Sequence, residues 1–226
     1  MKTNKDIGSE LTMIRIAKPT FEFALEAQKI GHAAWLDRMP DREERIKRVF
    51  DPNDTRIAYK LLEKMRSKVG TFAGVLALED RKPIGYAWAN DDVGNLSRPV
   101  QYAKTTIGKL KGEKPYAWLA QENVKPDHQQ NGTGTIMAIE LMKSFDSDQK
   151  VSTYVFDENL ITLNWFRRLG MNPRPDKPVP ITEYFGEDTD PVYQWRLESS
   201  SAADFTKALH HSDNRLPDYT VLLSSS

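Results

Sequence analysis

The strongest constraint on the fold is a glycine-rich stretch near the middle of the chain, Gln129-Gln130-Asn131-Gly132-Thr133-Gly134. The residues before it, Tyr116 to Val124, are mostly apolar or aromatic, which is typical of a buried strand. The residues after it carry apolar side chains at helical spacing, namely Ile136, Met137, Ile139, Leu141 and Phe145. The stretch therefore predicts a strand, a turn and a helix in succession.

A glycine-rich turn that leads directly into a helix is suited to binding an anion. The first N–H groups of a helix have no internal partner, and the helix dipole places partial positive charge beside them. Glycines let a ligand approach the backbone, so a phosphate or diphosphate is the expected ligand. No Lys-Ser or Lys-Thr follows Gly134, and the spacing is not G-x-G-x-x-G. The turn therefore matches neither the nucleoside-triphosphate loop nor the dinucleotide fingerprint.

The turn and its surroundings resemble the GNAT family, the Gcn5-related N-acetyltransferases. That family carries V-x-P and then [QR]-x-x-G-x-[GA] between its fourth strand and third helix, and here Val124-Lys125-Pro126 precedes Gln-x-x-Gly-x-Gly. A second resemblance lies at Asn159 and at Gly170-Met171, where the family has an Asn and then a helix ending in Tyr-x-x-x-Gly-[FM]. Phe166 stands in place of that tyrosine. An ordinary strand-to-helix turn, whose glycines only solve a packing problem, is the alternative interpretation.

The resemblance implies a single α/β (α+β) domain. Its central sheet is expected to be mixed and mostly antiparallel, with helices on both faces and a cleft where the fourth and fifth strands splay apart. We place this domain at residues 11–198, after a loose segment at 1–10 and before a short helix and mobile tail at 199–226. Local patterns predict strands at 13–17, 72–78, 84–89, 151–156 and 193–197, with helices at 21–35 and 203–210.

The resemblance also implies a cofactor and a reaction. Acetyl-CoA would lie in the cleft, and an acceptor amine would attack its thioester directly. Backbone N–H groups from Gln130 to Thr135 would hold the diphosphate, and backbone groups near Asn123 and Val124 would pair with the pantetheine like an added strand. The residues expected to contact the cofactor are Asn123, Val124, Gln129, Gln130, Asn131, Gly132, Thr133, Gly134, Thr135, Asn159 and Phe166.

Glu122 is the candidate base that removes the proton of the attacking ammonium. Strict alternation along the strand predicts that Trp118, Ala120, Glu122 and Val124 point to one face, where Glu122 is the only titratable side chain. A carboxyl group among apolar neighbours can have a raised pKa and accept a proton directly or through water. A hydrogen-bonded or solvent-facing glutamate is the alternative.

The acid step needs another residue, because the phenyl ring of Phe166 cannot donate a proton. Tyr154 or an ordered water is expected to protonate the departing thiolate. A thiol also has a pKa low enough to leave without full protonation, so loss of the family's tyrosine need not abolish turnover. Phe166 as a core residue, in a protein that binds acyl-CoA with weak or no catalysis, is the competing interpretation.

Composition disfavours several kinds of partner. The charges of the 32 basic and 32 acidic residues cancel, which argues against electrostatic binding to nucleic acid or to an anionic membrane. No cysteine is present, so disulfide bonds and catalysis by a cysteine thiolate are excluded. No apolar run is long enough to span a membrane and no signal sequence is evident, so a cytoplasmic protein is expected. No metal site is expected either, because the adjacent His210 and His211 diverge on a helix.

The sequence specifies the acceptor only weakly. Carboxylates near the late strands would attract a cationic amine of a small molecule or peptide, or would form a solvated acidic loop; they are Glu183, Glu187, Asp188 and Asp190.

Basic residues between 94 and 114 would form a solvated surface loop or a flap near the phosphates of the cofactor. Three functions stay open, namely an N-acetyltransferase, an acyl-CoA-binding sensor and an interaction domain with a chance motif. The oligomeric state, including a homodimer, is open as well.

Overall fold

The structure, a computed structural model, describes residues 10–66, 70–92, 114–173, 177–181, 192–212 and 216–224. The strands in these ranges are β1 (Leu11–Ile16), β2 (Phe72–Glu79), β3 (Lys82–Asp92), β4 (Tyr116–Val124), β5 (Val151–Phe156), β6 (Asn172–Pro173), β7 (Val179–Ile181), β8 (Val192–Glu198) and β9 (Tyr219–Leu223). The α-helices are α1 (Phe21–Arg38), α2 (Glu43–Phe50), α3 (Thr55–Arg66), α4 (Thr133–Met142), α5 (Leu160–Arg168) and α6 (Ala202–Ser212).

All the described strands join one sheet, in the order β6-β8-β5-β4-β3-β2-β1-β9, with β7 also paired to β8. Among the strand pairs of the described ranges, only β4–β5 and β1–β9 are parallel. One apolar core lies between the sheet and α1, α2 and α3, and a second lies between the sheet and α4, α5 and α6. The expected single domain, with a mixed and mostly antiparallel sheet covered on both faces, is therefore confirmed.

Local sequence signals explain where several elements begin and turn. Thr20 caps α1, because its hydroxyl oxygen accepts a hydrogen bond from the Phe23 N–H at 3.2 Å. The β2–β3 hairpin turns at Asp80 and Arg81, whose φ angles are 49° and 65°. Two left-handed residues in succession are the requirement of the tight turn that matches the twist of paired strands.

The β4 and β5 strands are paired at one end and parted at the other. Three pairs hold them together, ending at Leu119 with Thr153. The Thr153 hydroxyl also donates to the Leu119 carbonyl at 2.9 Å, and this hydrogen bond stabilises the last β4–β5 pair. The remaining residues of β4, from 120 to 124, have no pairing with β5. The expected splayed cleft is therefore present.

A β-bulge lies at the point where the two strands part. On the β3 side, Ala89 pairs with Leu119 but the next residue back, Trp88, pairs with Gln121. Ala120 is therefore an extra residue without a partner across the ladder. A bulge of this kind interrupts the alternation of side chains along the strand.

The C-terminal residues differ from the predicted mobile tail. Residues Tyr219–Leu223 form β9, which runs parallel to β1 at the edge of the sheet. The Tyr219 hydroxyl donates to Oε1 of Glu140, a buried residue of α4, at 3.0 Å. The β-branched and aromatic run Tyr-Thr-Val-Leu-Leu favours a strand, but the polar and serine-rich residues around it obscured this signal. The short strands β6 and β7 were also not predicted.

Candidate active site

The turn between β4 and α4 has a backbone shape that few sequences can adopt. A short 3₁₀ segment at Pro126–His128 follows β4, and the chain then passes through two left-handed residues, Gln130 with φ 63° and Gly132 with φ 85°. Gly132 is the residue that immediately precedes α4. Glycine is the residue for which this conformation carries no steric penalty.

Hydrogen bonds of two side chains hold this turn in place. Nε2 of Gln129 donates to the Val124 carbonyl at 3.0 Å, which folds the turn back onto β4. Oδ1 of Asn131 accepts from the N–H of Thr133 at 3.2 Å and from its hydroxyl at 2.6 Å. These predicted cofactor residues therefore also shape the turn.

The turn leaves several backbone donors free. The N–H groups of Gln130, Asn131, Gly132 and Gly134 donate no hydrogen bond to any residue that the structure describes. Gln130 and Asn131 are exposed, while Thr133 and Thr135 are buried at the start of the helix. Successive N–H groups around a left-handed residue form a concave nest that binds anions. The arrangement therefore fits a diphosphate on the exposed side of the turn.

The carboxyl group of Glu122 lies directly beneath this turn. A Cβ added to Gly134 would be only 2.5 Å from Oε1 of Glu122, so any side chain at this position would displace the carboxyl group. Oε2 of Glu122 is buried and has no hydrogen-bond partner among the described residues. Burial raises the pKa of Glu122 to about 8, against the opposing attraction of the Arg38 guanidinium. The group is thus mostly neutral at pH 7.

The predicted surroundings of Glu122 are wrong, and the bulge at Ala120 is the reason. Ala120 packs with the core under α1, and Trp118 contacts Trp88 of that core at a ring distance of 6.3 Å. Glu122 and Val124 lie on the opposite face, against α4. The extra residue shifts the alternation by one position, so Glu122 does not share a face with Trp118.

The backbone of β4 presents an open edge toward the split. The Lys125 N–H donates to the Ile84 carbonyl of β3 at 2.8 Å. Alternate residues of a strand direct their backbone groups to the same side, so Asn123 also faces β3 whereas Glu122 and Val124 face the parted β5. An extended ligand would therefore pair with the backbone of Glu122 and Val124. The backbone of Asn123 is directed away from that position.

Tyr154 lies on the other wall of the split, one residue beyond the last β4–β5 pair. Its partly buried ring meets Trp118 edge-on at a centroid distance of 6.1 Å, and the Arg196 guanidinium lies 5.9 Å from the ring centre. The predicted acid therefore sits at the opening of the split. It lies on the face of the sheet opposite to the carboxyl group of Glu122.

Two further predicted cofactor contacts have structural roles. Asn159 caps α5, because its Oδ1 accepts from the Thr162 N–H at 3.2 Å. Phe166 is buried, with 3% of its surface exposed, and its ring stacks on Phe205 at 6.3 Å. This placement favours the interpretation of Phe166 as a core residue.

Sequence reasoning missed a buried network beside the split. Oε1 of Gln121 accepts from the Tyr86 hydroxyl and from the Trp88 Nε1, each at 3.1 Å. Asn123 donates through Nδ2 to the Tyr86 oxygen at 3.0 Å and accepts from the Trp35 Nε1 at 3.1 Å. These residues are up to 88 positions apart in the chain. No local pattern connects them.

Some predicted features fall outside the described residues. They are the acidic residues Glu183, Glu187, Asp188 and Asp190, and the basic residues between 94 and 113. Lys114, the last residue of the predicted basic segment, is described and forms ion pairs with Asp146 and Asp148. Within the described ranges, no helix has both the length and the apolar character needed to cross a membrane.

Comparisons with known proteins agree with this geometry. A sequence model of the acetyltransferase (GNAT) family matches residues 30–171, which is more than half of the chain. The PaiA N-acetyltransferase from Thermoplasma acidophilum, solved in complex with coenzyme A, has a similar structure, with a TM-score of 0.53 and 14% sequence identity over 84% of this chain and 99% of that chain. No curated protein sequence matches the chain.

Two other solved structures are similar at the same level. The diaminobutyrate acetyltransferase EctA from Paenibacillus lautus, in complex with L-2,4-diaminobutyric acid and coenzyme A, has a TM-score of 0.51 and 11% identity over 85% of this chain and 96% of that chain. An uncharacterized protein from Bacillus halodurans has a TM-score of 0.53 and 12% identity, with 90% of each chain covered. At these identities the likeness shows a shared fold.

Proposed function

The chain belongs to the GNAT family of acetyltransferases, and we propose that it transfers the acetyl group of acetyl-CoA to a primary amine of a small molecule or peptide. The amine would attack the thioester carbon directly, so that the C–N bond forms as the C–S bond breaks. The products are an N-acetylated amine, coenzyme A and a proton. The Thermoplasma relative is bound to coenzyme A and the Paenibacillus relative to coenzyme A and an amine, which supports both substrate classes.

One observation carries the proposal, namely that the split in the sheet lies directly beside the free amides of the turn. The amides of Gln130, Asn131, Gly132 and Gly134 supply the donors that a diphosphate needs. The unpaired edge of β4 supplies backbone groups for the extended pantetheine arm. The same strand therefore connects the anion site to the opening where a thioester would meet an amine.

We assign the proton transfers to Glu122 and Tyr154. Burial raises the pKa of Glu122 to about 8, and a general base is most effective when its pKa lies near the working pH of the enzyme. Because its carboxyl group lies on the α4 face, water in the split would relay the proton from the amine. The Tyr154 hydroxyl, at the opening, would stabilise or protonate the thiolate. Loss of this donor should have the smaller effect, since a thiolate is a good leaving group.

An acyl-CoA-binding protein with weak or no catalysis is the second candidate. The observation that favours it is the burial of Phe166 against Phe205, at the position where the family has a tyrosine. In this case the turn and the cleft would bind acetyl-CoA as a signal. The two candidates share the binding step and differ only in whether an amine accelerates thiol release.

The test is a binding titration followed by an acceptor screen. Saturating acetyl-CoA at a hundredfold excess over Kd should stabilise the protein by about 2.7 kcal/mol, or roughly 5–10 °C in Tm. Thiol release should then depend on added amine, with kcat rising as pH increases through about 8. Glu122→Gln should lower kcat roughly 10²- to 10⁴-fold, as expected for loss of a general base.

Tyr154→Phe provides the comparison and should lower kcat less than Glu122→Gln does. Acetyl-CoA binding without amine-dependent thiol release would favour the second candidate. Absence of any stabilisation by acetyl-CoA would contradict both candidates.

A further inference from the structure

The buried network beside the split fixes the direction of one amide group. A tryptophan indole can only donate, so the Gln121 atom that receives the Trp88 Nε1 must be the oxygen. The Trp35 indole likewise requires that the oxygen of Asn123 faces it. The other side of the Asn123 amide therefore donates to the Tyr86 oxygen, and the Tyr86 hydroxyl must in turn donate to Gln121.

The consequence is that the NH₂ group of Gln121 is directed away from the network. Tyr86, Trp88 and Asn123 are almost completely buried, whereas Gln121 is partly exposed. Its Nε2 donates to no residue that the structure describes. Gln121 follows the bulge, beyond the last β4–β5 pair, so this donor group lies at the open part of the split.

The β4 and β5 side chains around Gln121 are aromatic or uncharged, and the charged groups near them include two guanidinium groups, that of Arg196 over the Tyr154 ring and that of Arg38, which interacts electrostatically with Tyr86. On its face of the sheet, the described residues of β4 and β5 include no carboxylate; they are Trp118, Ala120, Gln121, Asn123, Ser152, Tyr154 and Phe156. The carboxyl group of Glu122 lies on the opposite face. Aromatic rings attract an ammonium group through their π-electrons, and an oriented amide N–H recognises an oxygen. A second cationic group of an acceptor would find no carboxylate among these residues.

We propose that Gln121 is a specificity-determining residue whose NH₂ group binds an oxygen atom close to the reacting amine of the acceptor. This inference rests on the proposed function and narrows its acceptor to amines with a neighbouring carbonyl or ether-like oxygen. Aliphatic polyamines are disfavoured as acceptors, because they would place a second ammonium group beside the NH₂ group of Gln121, and both groups are hydrogen-bond donors.

Three amines of the same shape test the proposal. They are 2-methoxyethylamine, butylamine and N-methylethylenediamine, which place an oxygen, a methylene or a second amino group at one position. Binding is measured by NMR titration of the protein saturated with coenzyme A, which forms a complex without turnover. The wild-type protein should bind the oxygen compound about tenfold more tightly than butylamine, as expected for one hydrogen bond. The diamine should bind most weakly.

Gln121→Glu is the decisive variant. Its carboxylate still accepts from Tyr86 and Trp88, so the network and Tm should be retained, but the donor is lost. The preference for the oxygen compound over butylamine should disappear, and the diamine should become the tightest ligand. Asn164→Asp, on the exposed surface of α5, makes the same chemical change away from the split and should leave the order unchanged.

The outcomes separate this inference from the proposed function. The role of Gln121 alone is overturned if coenzyme A binds but the affinities of the three amines do not follow the expected order. It is also overturned if Gln121→Glu leaves that order of affinities unchanged. Failure of coenzyme A to bind overturns the proposed function and, with it, the role of Gln121.

Discussion

Two strand-to-helix turns flank the split in the sheet, one between β4 and α4 and one between β5 and α5. Both were identified by resemblance to the same family. The first turn leaves the amides of Gln130, Asn131, Gly132 and Gly134 without a partner among the described residues. In the second turn Asn159 donates through its N–H to the Phe156 carbonyl at 3.0 Å and accepts at Oδ1 from Thr162. In the second turn, the backbone N–H and the side-chain oxygen of Asn159 are therefore both used within the turn and the start of α5.

The difference follows from backbone conformation. Left-handed residues at 130 and 132 turn successive N–H groups outward in the first turn, whereas Asn159 has a φ of −86° and caps its helix with its own side chain. Anion binding depends on donors that remain free after folding. The comparison teaches that matching a family pattern locates a turn, while the hydrogen bonds of that turn decide whether it can hold a ligand.

Among the substitutions that test this comparison of the two turns, Gly132→Val should have the largest effect on acetyl-CoA affinity. Gly132→Val would force a β-branched residue into a left-handed conformation and place methyl groups where the diphosphate approaches. We expect acetyl-CoA affinity to fall at least about a hundredfold, which corresponds to about 2.7 kcal/mol. Isothermal titration calorimetry on the folded variant measures this change.

Gly170→Val is the matched control, because Gly170 is also left-handed, with φ 80°, and ends α5 far from the first turn in sequence. An added Cβ there meets nothing within 4 Å, so the substitution strains the backbone without a clash. Both variants should lose stability in urea unfolding, but only Gly132→Val should lose acetyl-CoA. Equal losses of affinity would show that strain, and not the anion site, explains the effect.

A smaller effect is expected from pH, because a buried carboxyl group with a raised pKa lies beneath the first turn. Below pH 8 the carboxyl group of Glu122 is mostly neutral, and above it the group gains a negative charge beside the diphosphate site. Affinity for acetyl-CoA should therefore fall about threefold between pH 7 and pH 9, from repulsion across several ångströms of partly solvated space. Glu122→Gln should remove this dependence.

The stability of the free protein provides an independent readout of the same ionisation. The pKa of Glu122 is raised from 4.5 to about 8 in the folded state, so the folded protein binds more protons than the unfolded chain between these values. Stability should consequently decrease as pH rises from about 5 to about 8. A Glu122→Gln variant with the same decrease as the wild type would contradict the burial of this carboxyl group.

The sequence was sufficient to predict the regular elements around the site and not its detailed geometry. The strand, turn and helix from Tyr116 to Met142 have strong periodicity and a glycine signature, and they appear as predicted. The bulge at Ala120 has no local signature, because a bulge depends on the register with β3. One extra residue moved Glu122 to the opposite face and invalidated an argument based on strict alternation.

Long-range contacts explain what else was missed. The orientation of Gln121 depends on Tyr86 and Trp88, which lie more than 30 positions earlier in the chain. The strand β9 exists because β1 offers an edge for pairing, more than 200 residues before it. Such partners become visible only when the sheet order is known.

The smallest expected effect lies at the caps of the two turns, and it tests the comparison most directly. Asn159→Ala removes the cap of α5 and should cost about 1 kcal/mol of unfolding free energy, with acetyl-CoA affinity changed less than twofold. Asn131→Ala removes the acceptor of two Thr133 hydrogen bonds and should loosen the first turn, so affinity should fall a few-fold. Urea unfolding and calorimetry on both variants measure the two quantities. If Asn159→Ala weakens acetyl-CoA binding as much as Asn131→Ala does, the second turn also binds the cofactor. The hydrogen bonds of Asn159 within its own turn would then not prevent that turn from binding a ligand.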